Sequence, residues 1–317
     1  SHSAYHGSYS LATQMADMAF DPSMFRHIPK IIGESLRAAG HSMPILSVCK
    51  YRTLAEAEEM LVAGHTDMVG MARAHMADPA LVNKSRDGLA DEVIPCIACN
   101  QGCAGNLQKD LALTCIANPR MGLEGRWPRP EDASTDSPKR ILVIGGGPAG
   151  CEAAWVAAAR GHDVTLLEQS DRLGGQLNLA NQMPSREEFG KLIRYQIGQC
   201  ERRGVTVKLG VRASSDMVIA AAPDAVILAT GSVPQVMGLP DGGRPWTLVD
   251  AITSPERLGN VVAFYDTIGE WSTLSTIEHL AEIGKQVTVF SPIGAFSWRT
   301  TIYSTYANST RLRDHGV

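Results

Sequence analysis

The segment from Arg140 to Glu168 constrains the fold more than any other stretch of the chain. Arg140-Ile-Leu-Val-Ile144 is a short apolar run, as expected of a strand buried on both faces. It leads straight into Gly145-Gly-Gly147-Pro-Ala-Gly150, then a helical pattern over Cys151 to Arg160, then a second apolar run, Asp163-Val-Thr-Leu-Leu167. Strand, glycine turn, helix and strand within 29 residues predict a parallel βαβ unit. Gly145 permits the tight turn, Gly147 lets backbone approach a pyrophosphate, and Gly150 lets the helix pack on the strand. The helix N-terminus then faces the phosphates. Glu168, 18 residues past Gly150, is placed to accept hydrogen bonds from ribose hydroxyls, and its charge disfavours a 2′-phosphate. FAD, ADP or NAD therefore suits this site better than NADP. A glycine turn without a ligand is the alternative, and the flanking strand, helix and acid weigh against it. Leu173-Gly-Gly175-Gln176 follows as a loop able to continue around the dinucleotide. Ser185-Arg-Glu-Glu188 has the capping-box pattern of a helix running to about Arg203. Val205 to Leu209 and Asp224 to Gly231 read as further strands, the second ending in a tight turn at Thr230-Gly231.

Ahead of this unit stands a second dense signal. Cys96-Ile-Ala-Cys99-Asn-Gln-Gly-Cys103 is followed after eleven residues by Cys115, so four of the seven cysteines share one window. Four thiolates at close, unequal spacing suit a [4Fe-4S] cluster, each iron taking one sulfur. A structural zinc site also takes four thiolates, but zinc ligands more often come as two CxxC pairs. Disulfides are the least favoured reading, because nothing else marks a secreted chain.

Composition sets outer limits. A length of 317 residues suggests roughly two domains, at about 150 residues each. Net charge of −4 provides no basic field for nucleic acid. No apolar run is long enough to span a bilayer, so no membrane partner is expected. Ser1-His-Ser-Ala-Tyr-His6 lacks the basic start and apolar core of a signal peptide, and the odd number of cysteines points to a reducing, cytoplasmic setting.

The first 90 residues alternate. Residues 1–22 read as a polar loop, and Phe25 to Ala39 as a helix. Pro44 to Val48 reads as a short buried strand, and Thr53 caps a helix with Leu54, Ala57, Leu61 and Val62 along one side. Asp67 to Met71 reads as a second buried strand, and Asp78-Pro79 as a helix start. Two βα units cannot close a barrel. A full (β/α)8 barrel needs about 250 residues, so the remainder of a barrel is expected outside this chain. At the other end, Asn260 to Tyr265, Thr273 to Ile283 and Gln286 to Phe290 repeat the strand–helix–strand pattern. Here the turn carries Asp266, Glu270 and Trp271 instead of a glycine fingerprint, so tight binding of a pyridine nucleotide is not expected.

As a set, these motifs resemble those of the iron–sulfur flavoproteins of the old yellow enzyme family. That group includes trimethylamine, dimethylamine and histamine dehydrogenases, N-methylproline and betaine demethylases, and 2,4-dienoyl-CoA reductase. The resemblance rests on Gly70-Met-Ala-Arg73 with Ala77-Asp78-Pro79, the cysteines with Asn118-Pro119-Arg120, Gly145 to Gly150, Leu173 to Gln176, and Ala229-Thr-Gly231, all in matching order. It implies an α/β protein: the last βα units of a TIM-type barrel, a cysteine-rich cluster loop, then a Rossmann-like domain of the glutathione reductase kind. The implied boundaries are 1–90 for the barrel end, 91–125 for the cluster segment and 126–139 for a linker. Residues 140–250 then form the FAD- or ADP-binding domain, and 251–317 a degenerate second nucleotide-type subdomain. The resemblance further implies FMN in the full-length protein, with Lys50 and Arg73 at its phosphate; the family usually has Gly-Arg where Cys49-Lys50 stands. Cys96, Cys99, Cys103 and Cys115 would hold the cluster. Gly145, Gly147, Gly150, Glu168, Gly175, Gln176, Thr230 and Gly231 would hold the dinucleotide. Tyr5, His6 and Tyr9 would line the substrate mouth, ordinary loop residues being the alternative.

The activity implied is oxidation of a methylated amine or amino-acid betaine, electrons passing from FMN to [4Fe-4S] and on to an external acceptor of the electron-transfer flavoprotein or ferredoxin type. A homo-oligomer is expected, and the fragment alone is expected to be inactive. The competing readings are an NADPH-dependent 2,4-dienoyl-CoA or enoate reductase and a non-catalytic electron-transfer module.

Overall fold

The computed structural model describes residues 13, 15–236, 238, 239 and 241–317, which fall into two compact units. Tyr5, His6 and Tyr9 lie outside the described residues.

The first unit comprises the chain up to Gly122 together with Asp266–Leu274 and Ser291–Gly316. Its helices and strands run α1 (His27–Ala38), β1 (Leu46–Ser47), α2 (Leu54–Val62), β2 (Met68–Val69), α3 (Ala72–Ala77) and α4 (Leu81–Arg86). A short α5 (Ala104–Leu107) lies in the cysteine segment. Strands β1 and β2 pair in parallel, Leu46 opposite Met68 and Ser47 opposite Val69. Helix α2 begins where expected: Thr53 and Glu56 form a reciprocal capping box that satisfies two orphan N–H groups.

Several local expectations need correction. The face of α2 that packs inward carries Ala57 and Met60, which join Tyr51, Met71, Ala74 and Leu81 in one core, whereas Val62 is exposed. The strands are not buried. Leu46, Val48 and Met68 are 58%, 60% and 54% exposed. A sheet of two strands leaves its outer edges and faces uncovered, and the apolar residues on it stay in solvent. Asp78 does not cap a helix in the usual sense. It terminates α3, accepts the Ala80 N–H at 2.9 Å, and receives Lys84 Nζ at 2.7 Å and the Ile94 N–H at 2.9 Å. It therefore ties α4 to the chain entering the cysteine segment.

The second unit holds residues Leu123–Tyr265 and Ser275–Phe290. Strand β3 (Arg140–Ile144) leads through the glycine turn to α6 (Pro148–Ala159) and β4 (Asp163–Leu167). Then come α7 (Leu177–Ala180), α8 (Phe189–Arg202), β5 (Thr206–Lys208), α9 (Ser215–Ala221), β6 (Ala225–Leu228), α10 (Leu248–Thr253) and β7 (Val261–Tyr265). All pairs in the four-stranded sheet are parallel, in the order β5-β4-β3-β6. Ile144 is opposite both Leu167 and Leu228, so three strand ends meet level at the glycine turn. Half of helix α6 is alanine, and with Gly150 and Cys151 these small side chains let it pack closely. Val143, Val164, Leu166, Ala154, Cys151 and Cys200 are nearly inaccessible at this core.

The capping box expected at Ser185 does not form. Ser185 takes a left-handed φ of 60°, and α8 starts only at Phe189. The next residue, Arg186, is buried and donates from Nε to Ser275 Oγ at 2.8 Å, a long-range contact that overrides the local pattern. The segment expected to be a plain linker has a 3₁₀ turn at Pro130–Ala133, and Glu131 pairs with Arg203 in the same unit. The expected final strand–helix–strand is present: β7, α11 (Trp271–Glu282) and β8 (Gln286–Phe290), with β7 and β8 parallel. A last helix, α12 (Ile302–Asp314), follows. Among the described residues no helix is long and apolar enough to cross a membrane.

Candidate functional site

Two candidate sites emerge, each within one unit. In the first, Cys96, Cys99, Cys103 and Cys115 line one small cavity with Arg73, Met76, Asn100 and Thr114. The loop gets its curl from Ala98 and Asn100, both with left-handed φ (51° and 59°), which turn the three leading cysteines inward. The fourth arrives on a returning segment. The Thr114 N–H donates to the Gly102 carbonyl at 2.9 Å, and a methyl on Gly102 would stand 2.7 Å from the Thr114 carbonyl oxygen. The two stretches can approach only because residue 102 is glycine.

Burial pushes the thiols of Cys96 and Cys115 up from their ordinary range, and that of Cys99 up to about 12. At Cys96 the Arg73 charge opposes the rise. Buried thiols that resist ionisation are poor nucleophiles, but they become thiolates when a cation binds among them. Among the described residues, no three of the four sulfurs lie within 4.8 Å of one another. Four Zn–S bonds of about 2.3 Å would need sulfurs near 3.8 Å apart, so the wider spread fits a multi-iron core better than one zinc.

Arg73 and Lys50 are both drawn onto the segment before α1. Arg73 Nη1 donates to the Ala16 carbonyl at 2.9 Å and to Asn100 Oδ1 at 2.6 Å. Lys50 Nζ donates to the Asp17 carbonyl at 2.7 Å and, more closely, to that of Phe20. Lys50 is buried, and at least two of its three donors serve backbone carbonyls, so its first task in this structure is to hold that segment. Cys49 and Lys50 have φ of 92° and 62°, a backbone that glycine would adopt more easily.

The second site is the turn after β3. Gly145 has φ 106°, and a Cβ there would fall 2.2 Å from the Ala229 carbonyl oxygen. A Cβ on Gly150 would fall 1.8 Å from the Gly145 carbonyl oxygen. These two glycines close the turn on itself. Gly147 differs: its Cβ would meet only Gly175 Cα, at 4.0 Å. The space at Gly147 is a cradle open to a ligand, with the α6 N-terminus behind it. Gly174 and Gly175, with φ of 108° and 51°, form the facing wall, and the Gly174 N–H donates to the Gly146 carbonyl at 2.8 Å. Gln176 Nε2 reaches the Ser232 carbonyl at 2.8 Å, just beyond Thr230 and Gly231. The residues present thus fit a bound pyrophosphate.

Glu168 has a task that spacing alone does not reveal. Its carboxylate accepts the Gly146 N–H at 2.6 Å, the Ser170 N–H at 2.8 Å and the Ser170 hydroxyl at 2.7 Å. Burial raises its pKa, but the donors from Ser170 and Gly146 outweigh that and leave it lowered. It braces the turn from behind, with limited acceptor capacity left for a ribose.

In the first unit, the turn at Asp266 contrasts with this. Asp266 Oδ1 accepts the N–H groups of Ile268 at 2.9 Å and Gly269 at 2.8 Å. An indole from farther along the chain crowds the turn: a Cβ on Gly269 would lie 2.4 Å from the Trp298 ring. Glu270 points outward to Arg299, at 3.3 Å. Sequence reasoning named the acid but could not find Trp298, which is distant along the chain, and it passed over Asn100, whose only signal was its place between two cysteines.

Residues 139–263 match the family model described as pyridine nucleotide-disulphide oxidoreductase. The N,N-dimethylglycine/sarcosine dehydrogenase of Chromohalobacter salexigens is 33% identical over 289 residues, which cover 88% of this chain and 41% of that protein. The structure of histamine dehydrogenase from Rhizobium sp. 4-9 superposes with a TM-score of 0.86 at 26% identity, covering 96% of this chain and 46% of that one. A 2-naphthoyl-CoA reductase superposes with a TM-score of 0.82 at 30% identity, covering 95% and 45% respectively. The chain thus spans a little under half the length of the relatives it matches.

Proposed function

Because the chain belongs to the iron–sulfur flavoprotein branch of the old yellow enzyme family, we propose that it is part of a flavin-dependent oxidoreductase that oxidises an N-methylated amine or amino-acid betaine. FMN, when bound to the whole protein, supplies acceptance of a hydride equivalent and one-electron release; a [4Fe-4S] cluster supplies the exit path. The chain's own residues divide the work. Cys96, Cys99, Cys103 and Cys115 hold the cluster in a mainly apolar cavity. Gly145, Gly147 and Gly150, with Gly175 and Gln176 opposite and Thr230 and Gly231 alongside, hold FAD or ADP, and Glu168 keeps the turn in shape. Arg73 and Lys50 flank the end of the barrel-type strands, where a flavin phosphate would sit. Tyr5, His6 and Tyr9 are proposed for the substrate mouth. The domains proposed are 1–90, 91–125, 126–139, 140–250 and 251–317. The partners proposed are a small-molecule substrate, a protein electron acceptor of the electron-transfer flavoprotein or ferredoxin type, and further copies of the chain.

The observation that carries the oxidative reading is the turn at Asp266. Its carboxylate occupies the two backbone donors that a pyrophosphate would use, and Trp298 fills the space above Gly269. Losing those contacts weakens a micromolar site to roughly millimolar, about 4 kcal/mol. The chain's likeness to 2-naphthoyl-CoA reductase favours a second reading, reduction of an enoyl or aryl thioester. Anaerobic stopped-flow on the full-length protein separates the two. Methylated amines or betaines should bleach the flavin, and micromolar NADPH should not. Fast bleaching by NADPH alone would establish the second reading instead.

A further inference from the structure

We propose that Asn100 and Ser304 are positioning residues of the flavin-phosphate site: from two ends they pin residues 15–20, whose successive carbonyls set Arg73 and Lys50 side by side to take one phosphate. This rests on the reading above that both cations stand at the phosphate of FMN, and it adds the side chains that aim them.

Residues 15–20 have no helix or strand of their own, so side chains from elsewhere must fix them. Four do. Asn100 Nδ2 donates to the Met15 carbonyl at 2.5 Å, and Arg73 Nη1 to the Ala16 carbonyl at 2.9 Å. Lys50 Nζ donates to the Asp17 carbonyl at 2.7 Å and also to that of Phe20. Three successive carbonyls thus take donors from the cysteine loop, from α3 and from the turn after β1. The fourth side chain is Ser304 on α12, whose hydroxyl donates to Asp17 Oδ2 at 2.6 Å, while the Ala19 N–H holds Oδ1 at 2.9 Å. Asn100, Asp17 and Ser304 are all buried, so these contacts are shielded from water.

The arrangement brings the two cations onto neighbouring peptide groups. Asn100 acts a second time, because its Oδ1 accepts Arg73 Nη1 at 2.6 Å, and both N–H bonds of that nitrogen are then used. Among the described residues, Nε and Nη2 of Arg73 have no hydrogen-bond partner. These two nitrogens form the planar fork that can meet two phosphate oxygens at once. A cation held in place beforehand loses less freedom when its ligand arrives, so pinning residues 15–20 raises affinity for the phosphate end of the flavin.

The test is the ratio of FMN to riboflavin affinity in the full-length protein, freed of FMN and titrated with each flavin by fluorescence. Riboflavin lacks the phosphate, so a role confined to holding the fold would weaken both flavins equally. Iron and released dinucleotide are counted first, so that variants are compared at equal loading. Arg73→Gln should lower the ratio roughly tenfold or more. Ser304→Ala should lower it roughly threefold or more, with riboflavin bound as in wild type. Asn100→Gly keeps the left-handed backbone and should do the same. Asn100→Asp keeps the reach to Arg73, removes the donor to Met15 and competes with the phosphate, so it should lower the ratio even where the glycine variant fails to assemble. A wild-type ratio in Ser304→Ala or in Asn100→Asp would overturn the proposal, as would equal weakening of both flavins. A wild-type ratio in both Arg73→Gln and Lys50→Met would instead remove the phosphate reading, and the proposal with it.

Discussion

Adding one methyl group at Gly147 and at Gly150 should have opposite consequences, although the positions are three residues apart in one turn. At Gly150 the new Cβ falls 1.8 Å from the Gly145 carbonyl oxygen and 3.0 Å from its carbon. Both are backbone atoms in a turn whose own φ of 106° leaves it no slack, so no rotamer change relieves the overlap. Overpacking of this kind costs about 1–3 kcal/mol or more. At Gly147 the nearest atom is 4.0 Å away, and φ is −71°, so alanine fits without strain. Its effect on stability should stay within about 0.5 kcal/mol. The methyl would, however, stand in the cradle that the pyrophosphate fills. Displacing close phosphate contacts should weaken dinucleotide binding by roughly 100-fold, about 2.7 kcal/mol. Urea unfolding of the nucleotide-free variants gives the first quantity, and titration with FAD and ADP gives the second. The reasoning is refuted if Gly147→Ala binds both nucleotides as wild type does, or if it unfolds as readily as Gly150→Ala.

Two further outcomes follow from the same geometry. Cys99→Ala should abolish the broad visible absorbance and lower iron from about four per chain in anaerobically purified protein, whereas one zinc and no iron in the wild type would sink the cluster assignment. Glu168 has a folded-state pKa below its ordinary 4.5, so its carboxylate stabilises the fold above that pH, and the contribution is lost as pH falls below 4.5. Glu168→Gln should therefore be less stable than wild type at neutral pH, with the gap closing below pH 4.5; a gap independent of pH would contradict the bracing role.

Legibility followed the range of the interactions. The βαβ unit was readable because its causes are local: an apolar run, a glycine spacing and a helix of small residues lie within one short stretch. The cysteine site was readable for the same reason. Burial of β1 and β2 was misread because a sheet of two strands leaves its faces and outer edges open, and periodicity cannot report how many strands a sheet will have. The capping box at Ser185 failed because Arg186 is drawn to Ser275, 89 positions on. Glu168 stands directly after β4, and spacing reveals where an acid sits but not that the Gly146 N–H donates to its carboxylate. Trp298 at Gly269 and Asn100 at Arg73 are contacts between segments far apart in sequence, and no local pattern encodes them.

The carboxylate of Asp266 carries one more consequence. A turn of this kind ordinarily leaves its N–H groups waiting for an anion, and its stability then rises and falls with the concentration of whatever ligand supplies one. Here the chain brings its own anion, permanently attached and always at saturation. The stability of this turn should therefore be deaf to the supply of nicotinamide nucleotides around it, so that this part of the molecule holds its shape equally in a starved cell and in a well-fed one.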